Sequence, residues 1–178
     1  MFDFHILLSI LAVFLAWKWG DWRNWKVYYP TILFFIIGDL TYVLVTTNKT
    51  LWQYESRLLN GDFVELLIAV IIFPCTAFLF FALYRKVDKI SKHKLIVYIA
   101  FFLFCAFVYT SVECLSCALG FFSYHNGWSI YLSFGFNCIM FPLLLLHYKN
   151  PLWAWLTSIF LAYLMIYFFK LPFLILKK

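Results

Sequence analysis

The feature that most constrains this chain is the recurrence of apolar runs of about 20 residues, with its charged residues gathered between them. A run of that length is what an α-helix needs to cross a hydrocarbon core of about 30 Å. Only 12% of the 178 residues are charged and 66% are hydrophobic, whereas a water-soluble domain carries roughly 25% charged residues to solvate its surface. The numbers exclude a soluble globule, and equally a disordered chain. Six spanning helices would use about 120 residues and leave only short connections. The expected fold is an all-α polytopic transmembrane bundle of about six helices, a single domain over 1–178 with no soluble domain.

The spans are expected at 4–19, 29–46, 63–84, 95–122, 128–147 and 152–170. No Lys or Arg precedes the first run and no small-residue cleavage site follows it, so it is read as a retained helix and not a signal peptide. Pro30 suits the first turn of the second span, Asp62 the N-cap of the third, and Pro74 a kink within it. The fourth run would be about 42 Å long if wholly helical, so it must tilt or project beyond the membrane. Residues 123–127 form a polar turn, and the apolar tail 171–178 can extend the last helix past Pro172.

Charge placement orients the bundle. Nine Lys and Arg fall on the odd-numbered connections, chiefly in 20–30 and 85–94, against five on the opposite face. The positive-inside rule then puts the basic loops 20–30 and 85–94 in the cytoplasm and both termini outside. Trp22, Trp25, Tyr28 and Tyr29 beside Arg23 and Lys26 read as a belt at headgroup depth, not as a nucleic-acid site. Cys75, Cys105, Cys114, Cys117 and Cys138 all lie in hydrophobic runs, which is no extracellular disulfide framework.

The candidate chemistry lies inside the spans. Asp39, Glu65 and Glu113 each cost about 2.5–3.5 kcal/mol at a helix centre on insertion scales. Asp39 and Asn137 are expected near the midplane, and Glu65 and Glu113 nearer the outer face, so that the four share an outer-half pocket. Helical spacing gives each polar companions on its own face: Tyr42 and Thr46 for Asp39, Tyr109, Thr110, Ser116 and Cys117 for Glu113, Ser133 for Asn137. His125 in the outer turn is within reach of Glu113 on this reading, or else simply solvated. Two accounts of the acids stand side by side. They are protonated and act as interhelical glue, worth about 1 kcal/mol each. Alternatively, because no Lys or Arg lies in the third, fourth or fifth span, a proton, a metal cation or a lipid headgroup supplies the missing partner.

Other chemistries are weaker. Cys114 and Cys117 form a C-x-x-C at a helix end, as a membrane thiol oxidoreductase would need, but no loop cysteine accompanies them. The four histidines show no metal-ligand spacing, and no phosphate loop, nucleophile elbow or paired-His motif occurs. Nothing in the sequence asks for a cofactor. A non-catalytic accessory or scaffold subunit docking a membrane-protein partner through its aromatic and basic loops remains the main alternative to a ligand-binding protein.

Trp22-Arg-Asn-Trp25, Tyr28-Tyr-Pro-Thr31, Gly38-Asp39-Leu40, Phe73-Pro74, Gly120-Phe-Phe-Ser-Tyr-His-Asn-Gly-Trp128, Phe136-Asn-Cys-Ile-Met-Phe-Pro142 and Leu146-His-Tyr-Lys149 together resemble a family of small multispanning membrane proteins from spore-forming Firmicutes, from about residue 20 onward. The resemblance implies a bacterial plasma-membrane location. It implies no activity, and the C-x-x-C is not among the family's features.

Overall fold

The structure is a computed structural model that describes residues 3–90 and 93–172. Among the described residues six helices alternate up and down: α1 (Phe4–Trp19), α2 (Trp25–Thr46), α3 (Gly61–Val87), α4 (Lys94–Ala118), α5 (Ile130–Lys149) and α6 (Pro151–Phe169). Two short strands, β1 (Trp52–Tyr54) and β2 (Phe122–Tyr124), pair antiparallel across one end, with Trp52 opposite Tyr124 and Tyr54 opposite Phe122. Helices α2 to α6 are long and apolar enough to cross a membrane, whereas α1, with 16 residues, falls short of the usual span. Apolar residues are exposed over their outer faces, for example Ile96, Leu103 and Phe107 on α4 and Leu152, Ile159 and Phe160 on α6. This is an all-α, multi-pass integral membrane protein.

The core explains which helices are central. Tyr28, Ile32 and Phe35 of α2, Ile72, Phe80 and Phe81 of α3, Phe101 and Ala106 of α4, and Phe141 and Leu144 of α5 are buried in one cluster. Aromatic rings interlock there: Phe35 stacks on Phe73 at 4.1 Å and Tyr28 on Phe81 at 4.5 Å between ring centres. Helix α1 packs along α3, and α6 packs on α5 and buries only Ala154.

Several element ends differ from the sequence expectation, each for a local reason. The N-cap of α3 is Asn60 and not Asp62, because the Asn60 Oδ1 accepts the Phe63 N–H at 2.8 Å. Helix α2 starts at Trp25, after a 3-10 turn at Trp22–Asn24, so Pro30 sits inside the helix and forfeits one backbone bond. Around Pro74 the chain widens into a π turn, Ile68–Ile72, in which the Phe73 N–H reaches back to the Ile68 carbonyl. The fourth run is not one long helix. It stops at Ala118, where Gly120 at φ +75° lets its own N–H reach the Cys117 carbonyl (3.0 Å) and the Phe121 N–H reach that of Ser116 (2.9 Å). Phe122, expected to end that run, and Ser123 and Tyr124, expected in the polar turn, form β2, and Trp128, expected to open the fifth span, precedes α5. Lys170, in the left-handed region, ends α6 before Pro172; residues 173–178 lie outside the described residues.

At the end opposite the strands the turn between α1 and α2 is tied to α3. Asp21 accepts hydrogen bonds from Tyr28 (2.5 Å), Asn24 (2.7 Å) and Arg85 (2.6 Å). Burial opposes the charge on Asp21, but these bonds outweigh it and hold the carboxyl below the ordinary carboxylate value of 3.8. A carboxyl lowered in the folded state stabilises the fold above its unfolded pKa, and that stability is lost as pH falls through the folded one. Thermal unfolding should therefore move to lower temperature on acidification below about pH 4. Asp21→Asn should unfold earlier at neutral pH and lose part of that acid sensitivity; full parental acid dependence in the variant would assign the effect elsewhere.

Candidate functional site

Asp39, Glu65 and Asn137 lie on the core-facing stripes of their helices. Asp39 continues the row Tyr28, Ile32 and Phe35 toward Tyr42 and Thr46, at alternating spacings of four and three. Glu65 shares a face with buried Ile68, Ala69 and Ile72, and Asn137 with buried Ser133, Met140, Phe141 and Leu144. At 1.5 Å per residue, Glu65, Glu113, Asp39 and Asn137 lie about 6 to 10 Å from the helix ends beneath the strand pair. The extension of α2 back to Trp25 leaves Asp39 about 10 Å from the strand end of the helix and about 21 Å from the other.

What closes this end is the hairpin-like pairing of β1 and β2, whose aromatic rings point into the bundle. Tyr42 of α2 stacks flat on Trp52, 3.7 Å between centres, and its hydroxyl accepts the Leu51 and Trp52 N–H groups at 3.1 and 2.9 Å. Tyr54 descends between the helices, packing on the main core. Burial raises its phenol well above the ordinary value, and the neighbouring Tyr109, Asp39, Glu65 and Glu113 raise it further. His5 of α1 holds the strands from the other side: its Nε2 lies 3.0 Å from both the Glu55 and Phe121 carbonyls, so Nε2 carries the proton.

The acids divide into two kinds. Glu113 is satisfied: its Oε1 accepts from the Tyr124 hydroxyl at 2.7 Å and the Ser133 hydroxyl at 2.5 Å. Ser133 in turn accepts the Trp128 indole N–H at 2.8 Å, and Asn137 donates to Thr110 at 3.0 Å. Asp39 and Glu65 are not satisfied. The Oδ2 of Asp39 and the Oε2 of Glu65 are buried with no hydrogen-bond partner. The single ion pair among the described residues, Arg85–Asp21, is at the opposite end.

His125 does not join Glu113. The Asn126–Gly127 turn, with φ of +51° and +86°, leaves His125 exposed, its Nε2 2.9 Å from the Ser123 hydroxyl, and Tyr124 takes the place beside Glu113. Alternation along a strand sends neighbouring side chains to opposite faces, which a helical or turn reading of these residues does not anticipate. Cys114 is exposed and Cys117 half-buried, and both are free thiols. Tyr54 and Tyr124 were absent from the sequence-derived set. The signal that could have found them is the aromatic–polar–aromatic pattern of Trp52-Gln53-Tyr54 and Phe122-Ser123-Tyr124, a period of two in both segments.

No family model, curated protein or solved structure matches this chain.

Proposed function

We propose that this chain is a small multi-pass protein of a bacterial plasma membrane that binds a proton between Asp39 and Glu65, in support of a transport or lipid-handling role. The observation that carries the reading is the pair of buried, partnerless carboxyl oxygens on neighbouring helices, in spans that hold no Lys or Arg between Lys26 and Lys49 or between Arg57 and Arg85. A proton shared by the two removes their repulsion and leaves one O–H donor for an orphaned oxygen. A proton also fits better than a larger cation: no group of three or more His, Cys, Asp or Glu able to hold a metal ion occurs among the described residues. An anionic headgroup beside three acids would be repelled. In this reading the basic loops face the cytoplasm, the strand pair faces outward and Tyr54 stands between the acids and the outer surface.

The test is infrared difference spectroscopy of the purified protein between acidic and alkaline buffer. A protonated-carboxyl band that titrates in the parent and is lost or shifted in both Asp39→Asn and Glu65→Gln is the expected result. A titrating band that persists in the double variant would place the proton elsewhere and overturn the reading.

A further inference from the structure

The end of the bundle away from the strands carries a second site, built on the turn between α1 and α2. The turn is sterically specified: a Cβ on Gly20 would lie 2.5 Å from the Ala16 carbonyl oxygen, and the Asp21 N–H is fastened to the Phe78 carbonyl at 3.1 Å. An open surface groove at the turn is lined by Lys18 and Arg23. A second, shallower one is lined by Arg85, Lys86 and Lys89, and both include Gly20 and Asp21, so the two adjoin at the turn.

The charges here do not cancel internally. Asp21 is saturated by Tyr28, Asn24 and Arg85, and Asp88 is held by the Tyr98 hydroxyl. Among the described residues Lys18, Arg23, Lys86 and Lys89 have no acidic partner. Two of them rest instead on aromatic faces: the Lys18 Nζ is 4.7 Å from the Trp19 ring centre, and the Arg23 guanidinium 5.7 Å from that of Trp22. Their positions are thus set without their charge being neutralised. Exposed Trp17, Trp19, Trp22 and Trp25 ring the turn, and tryptophan at this density marks headgroup depth. Immediately above lies an exposed apolar strip of α1, including Ile10, Val13 and Phe14, along which acyl chains can lie.

We propose that this turn binds the phosphate of an anionic phospholipid headgroup, held by Lys18 and Arg23 on one side and Lys86 and Lys89 on the other. The cations supply the attraction, the tryptophans fix the depth, and the α1 strip distinguishes a lipid from a soluble phosphate. The site is separate from the acids near the strand pair and stands or falls independently of them.

The test titrates the purified protein in neutral detergent with phosphatidylglycerol, phosphatidylcholine or inorganic phosphate, following bound lipid by native mass spectrometry and stability by thermal unfolding. Phosphatidylglycerol should bind saturably and raise the unfolding temperature, while the other two should do neither. Each neutralised cation should weaken binding about fivefold, so Lys86→Gln with Lys89→Gln costs about 25-fold and the set with Lys18→Gln and Arg23→Gln several-hundredfold. The two-site variant serves if the four-site one does not fold. Arg57→Gln, at the strand end, should leave the affinity unchanged. Equal binding of phosphatidylcholine, equal loss in Arg57→Gln, or full competition by inorganic phosphate would overturn the proposal, the last in favour of a soluble-anion site.

Discussion

Asp39→Asn and Glu65→Gln are each expected to raise the thermal stability of the purified protein at neutral pH, by about 1–3 kcal/mol. Both carboxyls keep a buried oxygen without a partner. In the folded chain they must either stay charged away from water or take up a proton that the unfolded chain does not need at neutral pH, and an amide in place of either avoids that cost. With a proton held by the pair the two substitutions should not add: once one acid is an amide, the second change has less cost left to relieve. A double variant gaining less than the sum of the singles is the signature of a coupled pair. Groups retained at a cost to stability are a recurring property of functional sites, which connects this measurement to the proton-binding reading. A fall in unfolding temperature in both single variants would instead make the acids structural glue.

The opposite sign is expected on the other side of the same end. Ser133→Ala removes a hydroxyl that donates to Glu113 and accepts from the buried Trp128 indole. The indole left unpaired costs about 1–3 kcal/mol, and Glu113, which keeps Tyr124, loses one charge-assisted bond worth about 1.5–3 kcal/mol. Ser133→Ala should therefore lower stability by about 2–5 kcal/mol, a large effect for deleting one oxygen. Tyr124→Phe should give a smaller loss, because it strips one donor from Glu113 and orphans no second group. Thermal unfolding of both variants checks the order. Indifference to Ser133→Ala would show that the chain Trp128–Ser133–Glu113 does not hold the strand pair onto the bundle.

Together the two results would separate acids by environment and not by residue type. Glu113 and Glu65 are the same side chain at similar depth, yet one receives two hydroxyl donors and the other keeps an oxygen with none. The local sequence gives Glu113 hydroxyl-bearing companions on its own face and Glu65 none, but it does not supply the donors that satisfy Glu113. The donors to Glu113 come from Tyr124 and Ser133, 11 and 20 positions away, on a strand and a different helix.

The sequence by itself determined the class of fold. Apolar runs of membrane-spanning length and sparse charge leave no other solvent for this surface than lipid, and in lipid a backbone must satisfy its own hydrogen bonds, so helices follow. Period 3.6 also put Asp39, Glu113 and Asn137 on the same faces as their companions, because a helix decides faces locally. What only the tertiary structure decided is how that end is closed. Residues 47–60 and 119–127 form two three-residue strands that exist only because they pair with each other across 70 positions of chain, a pairing no local signal specifies. That pairing packs Tyr54 on the main core and brings Tyr124 onto Glu113 while turning His125 outward. The helix-cap geometry at Gly120 ends the fourth run early enough to allow it. Which acids are satisfied follows from those long-range contacts, since a hydrogen bond needs its partner within about 3 Å whatever the separation in sequence.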